Sequence, residues 1–175
     1  MRIIGGKNKG KKLNIPIDEN TRPLRDMVKE SIFNLIEHSK KFKITISNSN
    51  ILDLFSGTGS FGLECFSRGA QNITFVEEYE KILKILKKNI SSINANESCK
   101  IIEKNCFDYF EYENKFQDNF DIIFLDPPYR EKKINLLINK IKQEKILTNN
   151  GVIIVHRHKN DDIDTKSGDN YLQFA

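Results

Sequence analysis

The sequence has few cysteines, and they are not spaced for cross-linking or for metal binding. The three residues Cys65, Cys99 and Cys106 are odd in number and show no C-x-x-C spacing, which argues against a disulfide framework and a zinc site. No serine or cysteine lies in a nucleophile-elbow motif with a partnered histidine. We therefore expect neither a metal nor a nucleophilic triad.

Long apolar stretches are also missing. Nothing in the sequence is typical of a membrane span, and only Ile3 and Ile4 precede Gly5, which is too short an apolar segment for a secretory signal. A chain of 175 residues with 30% charged and 38% hydrophobic residues is large enough to bury a core. These features predict a soluble, cytoplasmic, single-domain protein, and we expect it to be a monomer.

An apolar run followed by glycines is the first positive feature. Residues 51–55 predict a strand that leads into Ser56-Gly57-Thr58-Gly59-Ser60-Phe61-Gly62. Glycines at such a turn let the backbone approach a ligand closely, and Gly62 would let the next helix pack tightly on the sheet. The pattern G-x-G-x-x-G also leaves a nicotinamide or flavin enzyme open.

Further candidate residues follow other predicted strands. Glu77 directly follows a strand predicted over residues 73–76, and its carboxylate could accept hydrogen bonds from both ribose hydroxyls of a nucleoside. Asn105 follows a strand predicted over residues 99–104. Asp53 precedes the glycines and suits a cationic ligand such as S-adenosylmethionine better than a pyrophosphate, which it would repel. Glu77 and Asn105 also fit simple turns or helix caps. The candidate cofactor-binding residues are Asp53, Phe55, Gly57, Gly59, Glu77, Asn105 and Cys106.

The sequence Asp126-Pro127-Pro128-Tyr129 directly follows the apolar residues 122–125. We interpret it as a site for methyl transfer to a planar exocyclic nitrogen. Asp126 and the Pro127 carbonyl could each accept an N–H hydrogen bond from that nitrogen, and Tyr129 could stack on the base. Two prolines would stiffen the loop. The alternative interpretation is an ordinary turn after a strand.

Positive charge is concentrated near the amino terminus. Residues 1–50 contain eleven Lys or Arg residues against five Asp or Glu residues. This predicts a basic, RNA-facing arm, although a solvated edge that prevents sheet aggregation fits equally well. The candidate RNA-binding residues are Arg2, Lys7, Lys9, Lys11, Lys12, Arg22 and Arg25.

Several of these motifs together resemble the RsmD-like ribosomal RNA (guanine-N2) methyltransferases. The resemblance rests on Arg2-Ile3-Ile4-Gly5-Gly6, Thr21-Arg22-Pro23, Asp53-Leu54-Phe55-Ser56-Gly57-Thr58-Gly59 and Asp126-Pro127-Pro128-Tyr129. It implies methyl transfer from S-adenosylmethionine to guanine N2 in small-subunit (16S) ribosomal RNA, free or in an assembling 30S subunit. It further implies that Asp126 and Tyr129 hold the base. One departure is His156-Arg157-His158 after the last core strand, where members of the family often place an acidic residue. Structural or solvent roles are the simpler interpretation of these histidines, but strand alternation could bring both near the site.

The order of predicted elements gives the fold. Strands alternate with helices, which predicts a Rossmann-like α/β domain with a mostly parallel, doubly wound sheet. We assign residues 1–40 to a basic β-hairpin (residues 2–15) and helix extension, and residues 41–175 to the methyltransferase core. Apolar spacing predicts that Val28, Ile32, Leu35 and Ile36 share the buried face of the first helix, and predicts later helices over residues 80–93 and 132–141. Residues 111–118 are predicted to form a connection, and the short tail predicts abbreviated closing strands.

Three rival functions remain. A DNA adenine-N6 or cytosine-N4 methyltransferase would share the glycine turn and the Asp126 motif, but it usually needs a recognition region for which little chain is left. A nicotinamide-dependent oxidoreductase would need a hydride-transfer site that we do not find. The third is a catalytically silent RNA-binding protein on the same fold, and the presence of Asp126 and Tyr129 argues against it.

Overall fold

A computed structural model describes residues 1–16, 24–38, 44–112, 119–128, 131–157 and 171–174. The helices are α1 (Asp26–His38), α2 (Ser60–Ser67), α3 (Glu80–Ser92), α4 (Cys106–Tyr112) and α5 (Ile134–Glu144), with a short 3-10 turn at Asn96–Ser98. The strands are β1 (Asn50–Leu54), β2 (Asn72–Val76), β3 (Cys99–Ile102), β4 (Phe120–Leu125), β5 (Leu147–His156) and β6 (Tyr171–Phe174).

The six strands form one sheet in the order β3-β2-β1-β4-β5-β6. Every pairing is parallel, with Leu54 beside Val76 on one side and beside Leu125 on the other. The predicted Rossmann-like α/β fold with a doubly wound sheet is confirmed. Since β1 lies centrally and the chain crosses to opposite sides of it, the carboxyl ends of β1, β2 and β4 meet at a topological switch point, where such folds bind ligands.

Alternation along the strands divides the core between the two faces of the sheet. Ile51, Phe75 and Phe124 belong to a cluster that also contains residues of α1, α2 and α3. Leu54 of β1 and Leu125 of β4 belong to a second cluster with residues of α4 and α5. Because successive strand side chains point to opposite faces, these nearly continuous apolar strands fill both layers.

The amino-terminal hairpin packs on the first of these layers. Arg2 and Lys12 form an antiparallel bridge, and Ile3 and Leu13 are buried in the same cluster as α1 and α2. The carboxylate of Glu64 on α2 accepts the backbone N–H groups of Ile4 (2.8 Å) and Gly5 (2.7 Å). The predicted hairpin is therefore present, and it is attached to the core by hydrogen bonds as well as by apolar contacts.

Some local predictions need correction. Leu35 is 43% exposed, and Phe33 takes the buried position instead. Lys29 is fully buried in α1, although it was not among the residues predicted to form the buried face of that helix. Residues 106–112 form α4, so the start of the predicted 111–118 connection is helical, while residues 113–118 lie outside the described residues. The closing strand β6 is short, and it pairs with β5 in parallel register.

The described part of the chain contains no helix that is both long and apolar enough to cross a membrane.

Candidate functional site

The glycine turn after β1 adopts a backbone shape that most residues resist. Phe55, Gly57 and Gly59 have φ angles of 60°, 54° and 83°, and the Gly59 N–H donates to the Ser56 carbonyl at 2.8 Å. A Cβ on Gly57 would meet nothing within 4 Å, whereas a Cβ on Gly62 would lie 2.4 Å from the Phe75 ring. The turn is open on the ligand side, and Gly62 lets α2 pack on the sheet, as predicted.

Two carboxylates brace this turn. Asp53 is 1% exposed, and its Oδ2 accepts the Gly62 N–H at 3.0 Å. Glu77 Oε2 accepts the Gly57 N–H at 2.8 Å, and its Oε1 accepts the N–H groups of Glu78 (3.0 Å) and Tyr79 (2.9 Å). Because each carboxylate oxygen has two lone pairs, Glu77 keeps room for about one further donor on Oε2. It can therefore accept one ribose hydroxyl without losing an amide contact, where the sequence suggested two.

Electrostatics at this edge favour a cation. Burial raises the pKa of Asp53 well above its ordinary value, and the charges of Asp126 and Glu77 raise it further, while the Gly62 hydrogen bond opposes these effects. The carboxylate of Asp53 is therefore close enough to those of Asp126 and Glu77, which follow the two neighbouring strands, to be repelled by each of them. A positively charged ligand would relieve this repulsion, whereas a pyrophosphate would add to it.

Two further candidate cofactor-binding residues, Asn105 and Cys106, follow the end of β3. Asn105 Oδ1 accepts the Phe107 N–H at 2.9 Å at the start of α4, and its Nδ2 donates to Glu78 at 2.9 Å. Its capping role is therefore realised. Burial raises the pKa of the Cys106 thiol to about 12, so Cys106 stays neutral. The Phe55 and Phe107 rings meet edge to face at 5.9 Å, which places an apolar wall beside the turn.

Asp126 begins the loop after β4, with its side chain 27% exposed. Its Oδ1 lies 2.8 Å from His156 Nδ1 at the end of β5, and His156 is its one side-chain hydrogen-bond partner among the described residues. Pro127 is buried and Pro128 is exposed. Tyr129 lies outside the described residues, so its stacking role stays a prediction. Of the two histidines that alternation could bring near the site, His156 lies there, whereas His158 lies outside the described residues.

The basic residues of the arm divide into those whose charge contacts another described side chain and those whose charge does not. Arg2 pairs with Asp26 at 3.1 Å, and the Lys7 ammonium lies 3.7 Å from the centre of the Phe66 ring. Lys9, Lys11 and Lys12 are exposed, and no described residue forms an ion pair with them. Arg25 is also exposed, whereas Arg22 lies outside the described residues.

Three polar residues near the turn were not singled out from the sequence. The buried hydroxyls of Ser56 and Ser60 have no hydrogen-bond partner in the described part of the chain, which is unusual for buried polar atoms. Asn89 is fully buried and donates to the carbonyls of Thr58 (3.0 Å) and Asn14 (3.1 Å). The two serine hydroxyls are therefore enclosed beside the turn and unpaired among the described residues, and Asn89 joins the arm to the glycine turn. Only the glycine spacing hinted at the serines, and nothing marked Asn89 within an otherwise apolar stripe.

Residues 1–16, 24–38, 44–112, 119–128, 131–157 and 171–174 contain no group of three or more Cys, His, Asp or Glu side chains arranged to hold a metal ion.

The parallel sheet, the glycine turn at the switch point and the carboxylates around it define a Rossmann-like domain of the methyltransferase class. A solved structure from Haemophilus influenzae, described as a proposed methylase, is similar with a TM-score of 0.72 and 31% identity, covering 94% of this chain and 85% of that one. A second structure, described as a proposed methyltransferase complexed with SAH, has a TM-score of 0.55 and 27% identity, covering 72% of this chain and 34% of that one.

The chain belongs to the family described as "conserved hypothetical protein 95", whose profile matches residues 1–171, and its relatives are of the RsmD type that the motifs predicted. Ribosomal RNA small subunit methyltransferase D of Haemophilus influenzae is 33% identical over 91% of this chain and 79% of its own length. A proposed rRNA methyltransferase of Bacillus subtilis is 31% identical over 97% of this chain and 89% of its own length.

Proposed function

We propose that this protein transfers a methyl group from S-adenosylmethionine to the exocyclic N2 of a guanine in small-subunit (16S) ribosomal RNA. Relatives that share most of its length are named as ribosomal RNA methyltransferases, so activity on ribosomal RNA is the broad conclusion. The choice of guanine N2 rests on the resemblance to the RsmD-like methyltransferases, and the choice of an exocyclic amino group rests on the chemistry of Asp126. That carboxylate carries the proposal, because one of its oxygens is held by His156 and it lies beside the glycine turn.

S-adenosylmethionine is the cofactor, and the residues at the turn fit it. It would supply a methyl group already activated by a sulfonium. The hydroxyls of Ser56 and Ser60, unpaired among the described residues, lie next to the glycine turn against which the cofactor would bind. The remaining capacity of Glu77 suits a ribose hydroxyl, and Asp53 adds negative charge near a cation. Phe55 and Cys106 provide apolar surface for the adenine, with Gly57 and Gly59 allowing close approach.

Asp126 is placed to orient a weak nucleophile. The lone pair of an amino group on a base is delocalised into the ring, so the nitrogen must be held in one orientation during methyl transfer. Oδ2 of Asp126 can accept one N–H bond and the Pro127 carbonyl another, which localises the lone pair and stabilises the positive charge that develops on nitrogen. As the new N–C bond forms the C–S bond breaks, its electron pair stays on sulfur, and the amino group loses one proton to water. Asp126 therefore acts through orientation and charge, without needing to be a strong base.

The exposed lysines of the arm supply an RNA-facing surface. Lys9, Lys11 and Lys12 are free of ion pairs with described residues, and the arm reaches the glycine turn through Asn14 and Asn89. Phosphate contacts at these lysines would hold RNA along the arm, whose turn packs on the carboxyl end of α2 through Asn8 and Ser67 and whose other end, at Asn14, lies beside the glycine turn. We assign residues 1–40 to this RNA-facing extension and residues 41–175 to the methyltransferase core.

Methyl incorporation tests the proposal directly. Purified protein and labelled S-adenosylmethionine would be incubated with 16S ribosomal RNA, and in parallel with 30S subunits, both from a strain that lacks the protein. We expect label in one guanine, mapped by nuclease digestion and mass spectrometry as N2-methylguanine. Label in adenine or cytosine of DNA, or binding of RNA with no methyl transfer to any substrate, would contradict the proposal.

A further inference from the structure

His156 faces Asp126 because of the strand register. Leu125 of β4 is paired with Val155 of β5, so the next residues on the two strands lie side by side. The His156 Nδ1 and Asp126 Oδ1 atoms are 2.8 Å apart, and each side chain is 27% exposed. A carboxylate can only accept a hydrogen bond, so the Nδ1 atom carries the proton and donates it.

The loop that begins at Asp126 needs such an external contact. Pro127 and Pro128 have no backbone N–H group, so the loop lacks hydrogen-bond donors at those two positions. The residue directly after β5 supplies a second contact, because Arg157 Nη1 donates to the Pro128 carbonyl at 3.2 Å. The Glu131 N–H donates to the same carbonyl at 2.9 Å. His156 and Arg157 therefore hold the loop at two points, the Asp126 carboxylate and the Pro128 carbonyl.

We propose that His156 is a positioning residue for methyl transfer, one that fixes the Asp126 carboxylate so that Oδ1 is occupied and Oδ2 faces the amino group of the base. This inference rests on the proposed function. Rotation of an aspartate carboxylate about χ2 meets only broad, shallow preferences. Without the His156 hydrogen bond, both the tilt of the carboxylate and the oxygen presented to the base would vary. Since misplacement of a reacting group by about 1 Å can cost on the order of 100-fold in rate, this contact affects turnover more than binding.

The charge of His156 gives a second, independent test of this role, through the pH dependence of turnover. Its hydrogen bond to Asp126 raises the pKa of His156, burial opposes this, and the charge of Asp126 adds to the increase. Among the described residues, Asp53 on β1 interacts electrostatically with Asp126, and Arg157, which directly follows His156, donates to the Pro128 carbonyl. Protonation of His156 leaves the hydrogen bond in place but offsets the negative charge of Asp126. Turnover should therefore fall at acidic pH, below the raised pKa of His156.

A matched pair of substitutions separates this role from simple packing. His156→Asn keeps an N–H donor near the position of Nδ1, whereas His156→Leu has nearly the same size and no donor. We expect His156→Leu to lower kcat by about tenfold to a hundredfold, with an unchanged Kd for S-adenosylmethionine measured by calorimetry. His156→Asn should stay within about threefold of the wild-type kcat and lose the acidic limb of the pH profile. His38→Leu, on the exposed end of α1, is the control and should behave as wild type.

The outcomes distinguish the inference from the proposed function. If the wild-type protein methylates RNA and His156→Leu keeps its kcat and its pH profile, the positioning role is wrong. Equal losses in the Asn and Leu variants would likewise overturn it, since donor chemistry would then not matter. If the wild-type protein methylates no RNA, the proposed function fails. In that case a pH titration of the His156 ring nitrogens by NMR still tests whether His156 is hydrogen-bonded to Asp126. The ring pKa should drop towards its ordinary value in Asp126→Asn, and an unchanged titration would refute the pairing.

Discussion

Glu64, within α2, and Asp126, directly after β4, are both acidic residues, but their hydrogen bonds are used very differently. Glu64 is fully buried and accepts from Ile4 N, Gly5 N and Arg68 Nε, with the Lys29 ammonium 3.9 Å away. Asp126 is partly exposed and has one side-chain partner among the described residues, His156. A carboxylate whose hydrogen bonds are all made within the protein supports the fold. One with an unused oxygen at the ligand edge is available for chemistry.

The largest effect is expected from Asp126→Asn. The amide replaces one carboxylate oxygen with a donor, so the acceptor for the base amino group and its negative charge are lost together. We expect kcat to fall by about 10²- to 10³-fold, with Kd for S-adenosylmethionine and the thermal midpoint close to wild type. Equal losses of cofactor binding and turnover would show that Asp126 is not specific to the methyl-transfer step.

Glu64→Gln should show the opposite pattern. The new amide would point its N–H groups at the backbone donors of Ile4 or Gly5. It would also leave Lys29 without its buried counter-charge. Burial already lowers the pKa of Lys29, and the charges of Glu64 and Asp26 oppose that effect. Loss of one partner of a buried pair costs about 3 kcal/mol or more, which lowers the midpoint by roughly 6–12 °C for a chain of this size.

The control for Glu64 is Glu80→Gln, which breaks the exposed Glu80–Lys84 pair and should barely move the midpoint. Activity per folded molecule should survive in Glu64→Gln. If Glu64→Gln keeps wild-type stability but loses activity, the contrast between the two carboxylates is wrong.

The exposed lysines of the arm are expected to contribute to RNA affinity and not to the methyl-transfer step. Replacing Lys9, Lys11 and Lys12 together with alanine removes positive charges that have no described ion-pair partner. If each contacts a phosphate, the slope of log affinity for RNA against log salt concentration should decrease by about 2, measured by fluorescence anisotropy. Cofactor binding should not change. An unaltered salt slope would assign these lysines to a solvated edge instead.

Asp53→Asn tests an intermediate case, a buried carboxylate that braces the turn. Its pKa is raised in the folded protein, so its stability contribution is complete below the ordinary pKa and is lost as pH rises through the folded value. The asparagine oxygen can still accept the Gly62 N–H, without that loss. We therefore expect the variant's thermal midpoint, relative to wild type, to increase from about pH 4 towards pH 8, while cofactor affinity falls. A relative midpoint that decreases over this range would contradict the assigned direction.

Much of the site could be predicted from local sequence. Apolar strands that end in Asp53, Glu77, Asn105 and Asp126 indicated which residues would meet, because parallel strands bring their carboxyl ends to one edge. The helical stripe of α1 was less informative. Periodicity favoured Leu35 over the buried residues Phe33 and Lys29, since apolar spacing does not show where a buried ion pair can form.

The sequence by itself determined the alternation of strands and helices, the glycine turn and the acidic residues at the ends of strands, because each depends on the backbone preferences of neighbouring residues. Only the tertiary structure decided which carboxylates are saturated and which are not. Glu64 meets Ile4 across 60 residues, and Asp126 meets His156 across 30. Hydrogen-bond donors from such distant positions are set by sheet register and helix packing, and local sequence patterns do not encode them.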